Sequence, residues 1–323
     1  MKVYVTRQIP ETGISLLKKQ FDVTVYHEKK PVPPDILLKE AEDADAVLSL
    51  LSDKIDEKLF SMAKKLKIVA NYAVGYNNID IDAARKYNIP VTHTPGVLTN
   101  ATSEIAFALM IALTRNILVS DQFTRDGKFV GWDPLLFLGD ELRGKTIGLV
   151  GMGRIGRDMA EKCRAFGMNI IYHNRKPVAH ELETGLNAEY KDFRSLLRLS
   201  DVISIHTPLT ESTHHLFDKQ SFNEMKEGVY IINTSRGEVI DEKALSQALV
   251  SGKVKGAGLD VYEFEPQITN ELLSMKNVIL LPHIGSATIE TRDNMAVMAA
   301  ENIISVLSGK KPLNLIPELK GMV

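Results

Sequence analysis

Short apolar runs alternate with longer amphipathic segments through most of the chain, and this alternation constrains the fold more than any other feature. In the first third the runs fall at 3–5, 23–26, 46–50, 68–71 and near Val91, with helix-like segments at 11–19, 35–41, 56–64 and 80–87 between them. Strands joined through helices pair in parallel, and the resulting sheet is covered on both faces. The alternation resumes beyond residue 140, with segments at 168–172, 190–199, 202–206, 221–225, 230–233, 242–251, 256–261 and 278–281. Two such halves predict an α/β chain with a doubly wound parallel sheet and about two domains, in keeping with 323 residues of which 44% are hydrophobic.

Three segments stand apart. Residues 99–117 predict one long helix in which Ala101, Ile105, Ala108, Leu109, Ala112 and Leu113 spread so widely that burial on more than one side is expected. Residues 121–139 have no clear period and hold Trp132, the single tryptophan, beside Phe129, Pro134, Leu135, Leu136 and Phe137; such a stretch needs cover, and a partner subunit can supply it. The last helix, 288–307, spans roughly 30 Å at 1.5 Å per residue, long enough to reach back to the first half.

Composition narrows the ligands. The formal net charge is −2, without a basic block or a Lys/Arg stripe interleaved with aromatics, so no nucleic acid is expected as a partner. No run of apolar residues approaches 18, so no membrane is expected either. The chain opens directly into a strand, with no charged and apolar leader, and a cytoplasmic location is expected. Cys163 is the single cysteine and reads as a small hydrophobe inside a helix, which excludes Cys-rich metal sites; no metal is expected.

The run at 146–150 breaks into Gly151-Met-Gly153-Arg154-Ile155-Gly156 and then a helix-like segment at 157–166. Gly151 allows a sharp turn, Gly153 removes the side chain that would block a pyrophosphate, and Gly156 allows close helix–strand packing. Backbone N–H groups at the helix N-terminus are left aimed at an anion, so a dinucleotide is expected there, with Arg154 and Ile155 among the residues around it. The nucleotide half is thus of the Rossmann type. An acid about 20 residues past the first glycine would hold the ribose 2′-hydroxyl of NAD. None occurs between Glu161 and Glu181. Instead the second strand ends in Asn174-Arg175-Lys176, where cations can pair with a 2′-phosphate. NADP, as NADPH, is therefore the expected cofactor, with NAD the alternative if the basic turn is merely solvated.

Further strand ends carry polar groups. Asn71-Tyr-Ala-Val74-Gly75 follows a strand of the first half, where Gly75 lets backbone N–H groups approach a ligand or simply makes the turn before a helix capped near Asp80. In the second half, Asn233-Thr234-Ser235-Arg236-Gly237, Asp260-Val-Tyr-Glu-Phe-Glu265-Pro266 and Pro282-His283-Ile-Gly285-Ser286 all follow strands. Parallel strands share one C-terminal edge, so these groups can converge beside the glycine loop. Arg236 can hold a carboxylate in a fork of donors. His283 can deliver a proton to a carbonyl oxygen as hydride reaches its carbon, and Glu265 can stabilise the imidazolium. Such a set suits reduction of a 2-oxo acid, although each residue taken singly is more often structural.

The blocks Gly151-x-Gly153-x-x-Gly156, Asn233-Thr-Ser-Arg-Gly-Glu238, Gly258-Leu-Asp-Val-Tyr-Glu-Phe-Glu-Pro266 and Leu281-Pro-His-Ile-Gly285 resemble the signatures of the D-isomer-specific 2-hydroxyacid dehydrogenases, essentially end to end. Asn71-Tyr-Ala-Val-Gly-Tyr76, Ser49-Leu-Leu-Ser-Asp-Lys-Ile-Asp56 and the Trp132 stretch are similar to the glyoxylate/hydroxypyruvate reductases among them. The resemblance implies a smaller flavodoxin-like α/β substrate domain, 1–98 with 286–323, and a dinucleotide-binding domain, 99–285. It also implies a homodimer formed through the nucleotide domains and a catalytic Arg236, Glu265 and His283. By the same resemblance, Val74 and Gly75 donate N–H groups to the substrate carboxylate, and Leu51 and Ser286 line the pocket. Thr102 approaches the cofactor, while Thr207, Pro208, Thr234 and Asp260 flank its nicotinamide side. Asn77 stands where the family usually has Asp. The implied activity is reduction of glyoxylate or hydroxypyruvate; a D-lactate or 3-phosphoglycerate dehydrogenase, or a nucleotide-sensing corepressor-like protein, are the alternatives.

Overall fold

In the computed structural model, which describes residues 1–322, the apolar runs become strands of two parallel sheets, one in each of two units of the chain. The units are Met1–Leu98 with Ser286–Val323, and Thr99–Gly285.

In the first unit β1 (Lys2–Val5), β2 (Asp22–Val25), β3 (Ala46–Ser49), β4 (Ile68–Asn71) and β5 (Val91–Thr92) pair in the order β2-β1-β3-β4-β5. Helices α1 (Glu11–Lys18), α2 (Pro34–Asp43), α3 (Glu57–Met62) and α4 (Ile81–Lys86) connect them. The central strands β3 and β4 are buried along their whole length, as strands covered on both faces must be, whereas the edge strand β2 alternates between exposed and half-buried. Local chemistry starts the helices. Pro34 opens α2, where an N–H would have no partner anyway, and Asp56 and Asp80 accept from the N–H groups of Leu59 (3.3 Å) and Ala83 (2.9 Å).

The second unit begins with α5 (Thr99–Thr114) and α6 (Ile117–Arg125). It continues through β6 (Thr146–Val150), α7 (Arg154–Ala165), β7 (Asn169–His173), α8 (His180–Leu186), β8 (Ala188–Tyr190), α9 (Phe193–Leu199) and β9 (Val202–Ile205). Then come α10 (Lys219–Glu224), β10 (Val229–Asn233), α11 (Glu242–Ser251), β11 (Val254–Leu259), α12 (Asn270–Leu273) and β12 (Val278–Leu280). The order β12-β11-β10-β9-β6-β7-β8 shows the chain moving outward from β6 to β8, then crossing back to β9 and moving the other way. Between β6 and β9 the sheet therefore has a topological switch point, where connections diverge and leave a crevice at the strand ends.

The last helix, α13 (Ile289–Leu307), returns to the first unit and packs on α1. Their backbones meet at Gly13, where an added Cβ would lie 2.5 Å from the carbonyl oxygen of Ala296.

Several boundaries differ from the sequence reading. The helix expected over 99–117 stops at Thr114, and the chain bends by 64° into α6. Asn116 takes up the bend at φ 53°, and its side-chain amide donates to the carbonyls of Phe137 (3.3 Å) and Leu138 (3.2 Å), partners that lie far along the chain. Ala108, expected to be buried, is exposed. Helix α6 has no buried residue, and the stretch after it leaves Val130, Trp132 and Leu135 at 97%, 85% and 75% exposure. Helix α7 starts at Arg154, earlier than its periodicity suggested, because Gly156 is accommodated in the first turn. The segment read over 190–199 splits into the end of β8 and α9, and α8 was not foreseen. No single helix among the described residues is long and apolar enough to cross a membrane.

Replacing Gly13 with Ala should lower unfolding stability by about 1–3 kcal/mol, since backbone rather than a movable side chain blocks the new methyl group. Urea unfolding of the two proteins measures this; equal midpoints and slopes would contradict the close approach of α1 and α13.

Candidate active site

Strand β6 delivers the glycine loop to the switch point. Gly151 has φ 104°, and a Cβ there would lie 2.6 Å from the carbonyl oxygen of His206. A Cβ on Gly156 would lie 2.0 Å from the carbonyl oxygen of Gly151. Both glycines are required by the protein's own packing. Gly153 differs, because a Cβ there would meet nothing within 4 Å. Gly153 is also the N-cap of α7 and offers no side-chain acceptor, so the first N–H groups of the helix, at Arg154, Ile155 and Gly156, have no side-chain cap. The loop is pinned from β7: Gly151 N–H donates to His173 O (3.0 Å), and Met152 N–H to Asn174 Oδ1 (2.8 Å). Arg154, Arg175 and Lys176 are exposed around it.

Strand β9 ends beside the loop in His206, Thr207 and Pro208. Burial pushes the His206 imidazole down to about 4, so the ring is neutral, with Nε2 2.9 Å from Ser204 Oγ.

Strand β10 leads into Thr234, Ser235 and Arg236. Buried Asn233 folds this turn: its Nδ2 donates to Arg236 O (2.9 Å), and its Oδ1 accepts from Ser235 N–H (3.0 Å) and Ser235 Oγ (2.8 Å). Arg236 Nη1 donates to Ser235 O at 2.6 Å. Burial pulls the Arg236 pKa down, opposed by the carboxylates of Glu238 and Glu265. Thr234 Oγ1 is buried and has no hydrogen-bond partner.

Strand β11 leads into Asp260, which is 1% exposed. Its Oδ1 and Oδ2 accept from the N–H groups of Ile284 and Gly285, each at 2.7 Å, and so anchor the backbone just after His283. Burial pushes the Asp260 carboxyl above its ordinary value, against the opposing pull of those donors and of His283. A Cβ on Gly285 would lie 3.1 Å from Asp260 Oδ2 and 3.4 Å from Thr102 Cγ2, so α5 brings Thr102 to the same turn. After β12, Tyr262 Oη donates to Leu281 O (2.7 Å), and His283 adopts φ 54°. His283 Nδ1 stands 2.8 Å from Glu265 Oε1. With the carboxylate ionised, Nδ1 carries the proton of that contact and Nε2 is left for another partner. This pair can pass a proton at Nε2, and Arg236 can fork a carboxylate.

The structure thus gathers Arg236, Glu265, His283, Asp260, Thr234 and Thr102 on the sheet edge that also carries the glycine loop, Thr207 and Pro208. Leu51, Val74, Gly75 and Ser286 belong to the first unit. There Asn71 Nδ2 donates to Gly75 O (2.9 Å), and Val74 O lies 2.9 Å from His93 Nδ1. The turn with Leu51 is held by Asp53, which accepts Leu50 N–H (2.7 Å), and by Asn78, which donates to Leu50 O (3.1 Å) and Asp53 O (2.9 Å). The sequence reading placed Asn233 and Asp53 inside its motif blocks without giving either a role, and gave none to Asn78. A polar residue at a strand end is visible in a sequence; the carbonyl it holds is not.

A dinucleotide fits these residues: Gly153 keeps a cradle that any side chain would fill, α7 presents uncapped N–H groups, and Thr234 has an orphaned hydroxyl. Fold and loop define a Rossmann-type dinucleotide-binding protein. Residues 107–285 match the family model of the D-isomer specific 2-hydroxyacid dehydrogenase NAD binding domain. A glyoxylate reductase of Thermococcus litoralis is 49% identical over 321 residues, covering 98% of this chain and 96% of that protein. The solved glyoxylate reductase of Paecilomyes thermophila superposes with a TM-score of 0.90 at 37% identity, over 99% of both chains. An NADPH-dependent glyoxylate/hydroxypyruvate reductase of Sinorhizobium meliloti, solved with NADP and malonate, gives 0.88 at 32% identity, over 98% of this chain and 97% of that one. The chain belongs to the D-isomer specific 2-hydroxyacid dehydrogenases.

Half-buried His206, kept neutral by desolvation, links stability to pH. Its folded value of about 4 lies below the ordinary 6.5, so its contribution is complete above about pH 6.5 and is lost as pH falls toward 4. The loss amounts to up to about 3 kcal/mol. A His206→Gln variant should lose less stability than the parent between pH 6.5 and 4.5 in urea unfolding; parallel losses would refute the link.

Proposed function

We propose that this dehydrogenase reduces a small 2-oxo acid, glyoxylate or hydroxypyruvate, to the D-2-hydroxy acid, with His283 as proton donor. The observation that carries the reading is the 2.8 Å pair of His283 and Glu265, on the same sheet edge as Arg236 and the glycine loop. The substrate class is supported by the names of the relatives, two of them glyoxylate reductases and one a glyoxylate/hydroxypyruvate reductase.

On this reading residues 99–285 bind the dinucleotide, and residues 1–98 with 286–323 bind the substrate. The nicotinamide supplies hydride when bound. Arg236 holds the substrate carboxylate in its fork, and Val74 and Gly75 add backbone N–H groups. Leu51 and Ser286 line the pocket. His283 Nε2 gives its proton to the carbonyl oxygen, while Glu265 keeps the ring oriented through Nδ1 and offsets its charge. Asp260 fixes the turn that presents His283. The N–H groups of Gly153, Arg154, Ile155 and Gly156 face the pyrophosphate, Gly151 makes the turn that brings them there, and Thr102, Thr207, Pro208, Thr234 and Asp260 lie toward the nicotinamide.

We infer further that NADPH is preferred over NADH. Arg175 and Lys176 are exposed beside Asn174 at the end of β7, where an acid would otherwise bind the ribose, and neither forms an ion pair among the described residues. A homodimer completes the reading: the apolar side chains from Phe129 to Leu138 and the uncovered helix α6 form the surface that a partner subunit would cover.

His283→Ala should lower kcat by about 10²–10⁴-fold with glyoxylate or hydroxypyruvate while the Kd for cofactor stays unchanged. Near-parental turnover would overturn the proton-donor role. Across NADPH and NADH with glyoxylate, hydroxypyruvate and pyruvate, kcat/KM should favour NADPH and the first two acids. Neutralising Arg175 and Lys176 together should cut kcat/KM for NADPH about tenfold or more and leave NADH little changed; a parental preference for NADH refutes the cofactor assignment.

A further inference from the structure

Away from the proton-transfer pair, a second carboxylate holds the loop from which Glu265 emerges. Glu242 is the first residue of α11, yet its neighbour makes the helix cap: Asp241 accepts the N–H of Ala244 at 2.9 Å. Glu242 is 2% exposed and turns toward the loop instead. Its Oε1 accepts the N–H of Glu263 at 2.9 Å; its Oε2 accepts the N–H of Thr269 at 3.3 Å and also the Thr269 hydroxyl. These donors bracket residues 263–269, the segment that carries Glu265. In return, the Glu263 carboxylate accepts the N–H of Glu242 at 3.0 Å and lies 2.7 Å from His215 Nε2.

His215 extends the connection to the turn after Arg236. Its own N–H donates to Glu238 O at 2.8 Å, from a backbone held at φ 49°. The two loops are also in direct contact, since a Cβ on Gly237 would lie 1.8 Å from the carbonyl carbon of Tyr262. A carboxylate taken out of water is costly unless donors occupy its oxygens. Here the donors of Glu242 all come from the two ends of the loop bearing Glu265, and α11 is already capped without it.

We propose that Glu242, Glu263 and His215 are positioning residues for the reaction: together they clamp the 263–269 loop so that Glu265 meets His283 Nδ1, and tie that loop to the turn of Arg236. None of the three touches the reacting atoms. The proposal rests on the reading that Glu265 orients His283 as proton donor, because a displacement of even about 1 Å in such a pair costs rate out of proportion to stability.

The test compares Glu242→Gln, His215→Ala, His215→Gln and Glu265→Gln in the full chain, by melting temperature, cofactor Kd and the pH profiles of kcat and kcat/KM with glyoxylate and NADPH. Glu242→Gln and His215→Ala should each lower kcat about tenfold or more, with KM and cofactor Kd within about twofold. Their pH profiles should move in the same direction as that of Glu265→Gln. His215→Gln keeps an N–H donor within reach of Glu263 and should restore most of the rate. His215 lies near the surface, so its variants decide the matter if Glu242→Gln does not fold. Parental kcat and pH profile in His215→Ala, alongside lost activity in Glu265→Gln, overturns the clamp alone. An unaltered Glu265→Gln overturns the role of Glu265, and the clamp with it.

Discussion

A parallel sheet gives every strand the same C-terminal edge, and the organisation of the second unit follows from that constraint. Seven strands run one way among the described residues, and the order reverses between β6 and β9. The glycine loop, the His206 turn, the Arg236 turn, Asp260 and the His283 turn are therefore neighbours on one rim, although 132 positions separate Gly151 from His283 in the numbering of the chain (283 − 151). Side chains need only leave the ends of their strands to meet. Hydrophobic burial supplies the rigidity: β9 and β10 are buried at every position, so a shift by one residue would move each side chain to the opposite covered face, into packing made for another shape.

What the sheet leaves undetermined, buried polar groups decide. Asn233, Asp260 and Glu242 are all within 2% of complete burial, and each uses its oxygens on backbone N–H groups of a loop. A buried acceptor without donors would cost about 1–3 kcal/mol or more, so each loop conformation that fails to present its N–H groups is penalised by that amount. His283 illustrates the result. Its φ of 54° is unfavourable for a residue with a Cβ, and it is retained because Asp260 holds the two following N–H groups while Glu265 holds the ring. The strain and the scaffold belong to one arrangement.

Much of this was legible in the sequence for a physical reason: periodicity and glycine chemistry are local. The βα alternation, the strand–loop–helix around Gly151 and the strand ends bearing Arg236, Glu265 and His283 could all be read from neighbours a few positions apart. Strand order could not, since nothing local distinguishes β9 beside β6 from β9 beside β8. The bend at Asn116 escaped because its cause, carbonyls at Phe137 and Leu138, lies about twenty positions onward. Helix α6 escaped for a related reason. None of its residues is fully buried within the chain, so the pattern of a helix packed on its own core was absent. Glu242 reads as an ordinary acid in a first helical turn, a favourable place for negative charge; its burial and its reach to Thr269 are tertiary facts.

The end of β7 shows how one substitution of residue type reshapes a site. An acid there would accept from a ribose hydroxyl and would repel a phosphate. Asn174 instead directs its carboxamide oxygen at the N–H of Met152, so that it stiffens the glycine loop and takes no charge of its own. With that position neutral, the two cations that follow are unopposed, and on the proposed reading the field at the ribose is positive. Selectivity then arises from two separable effects, loss of an acceptor for a 2′-hydroxyl and gain of partners for a 2′-phosphate. Neutralising Arg175 and Lys176 removes the second effect while leaving the first, so discrimination between the cofactors would shrink without passing over to NADH.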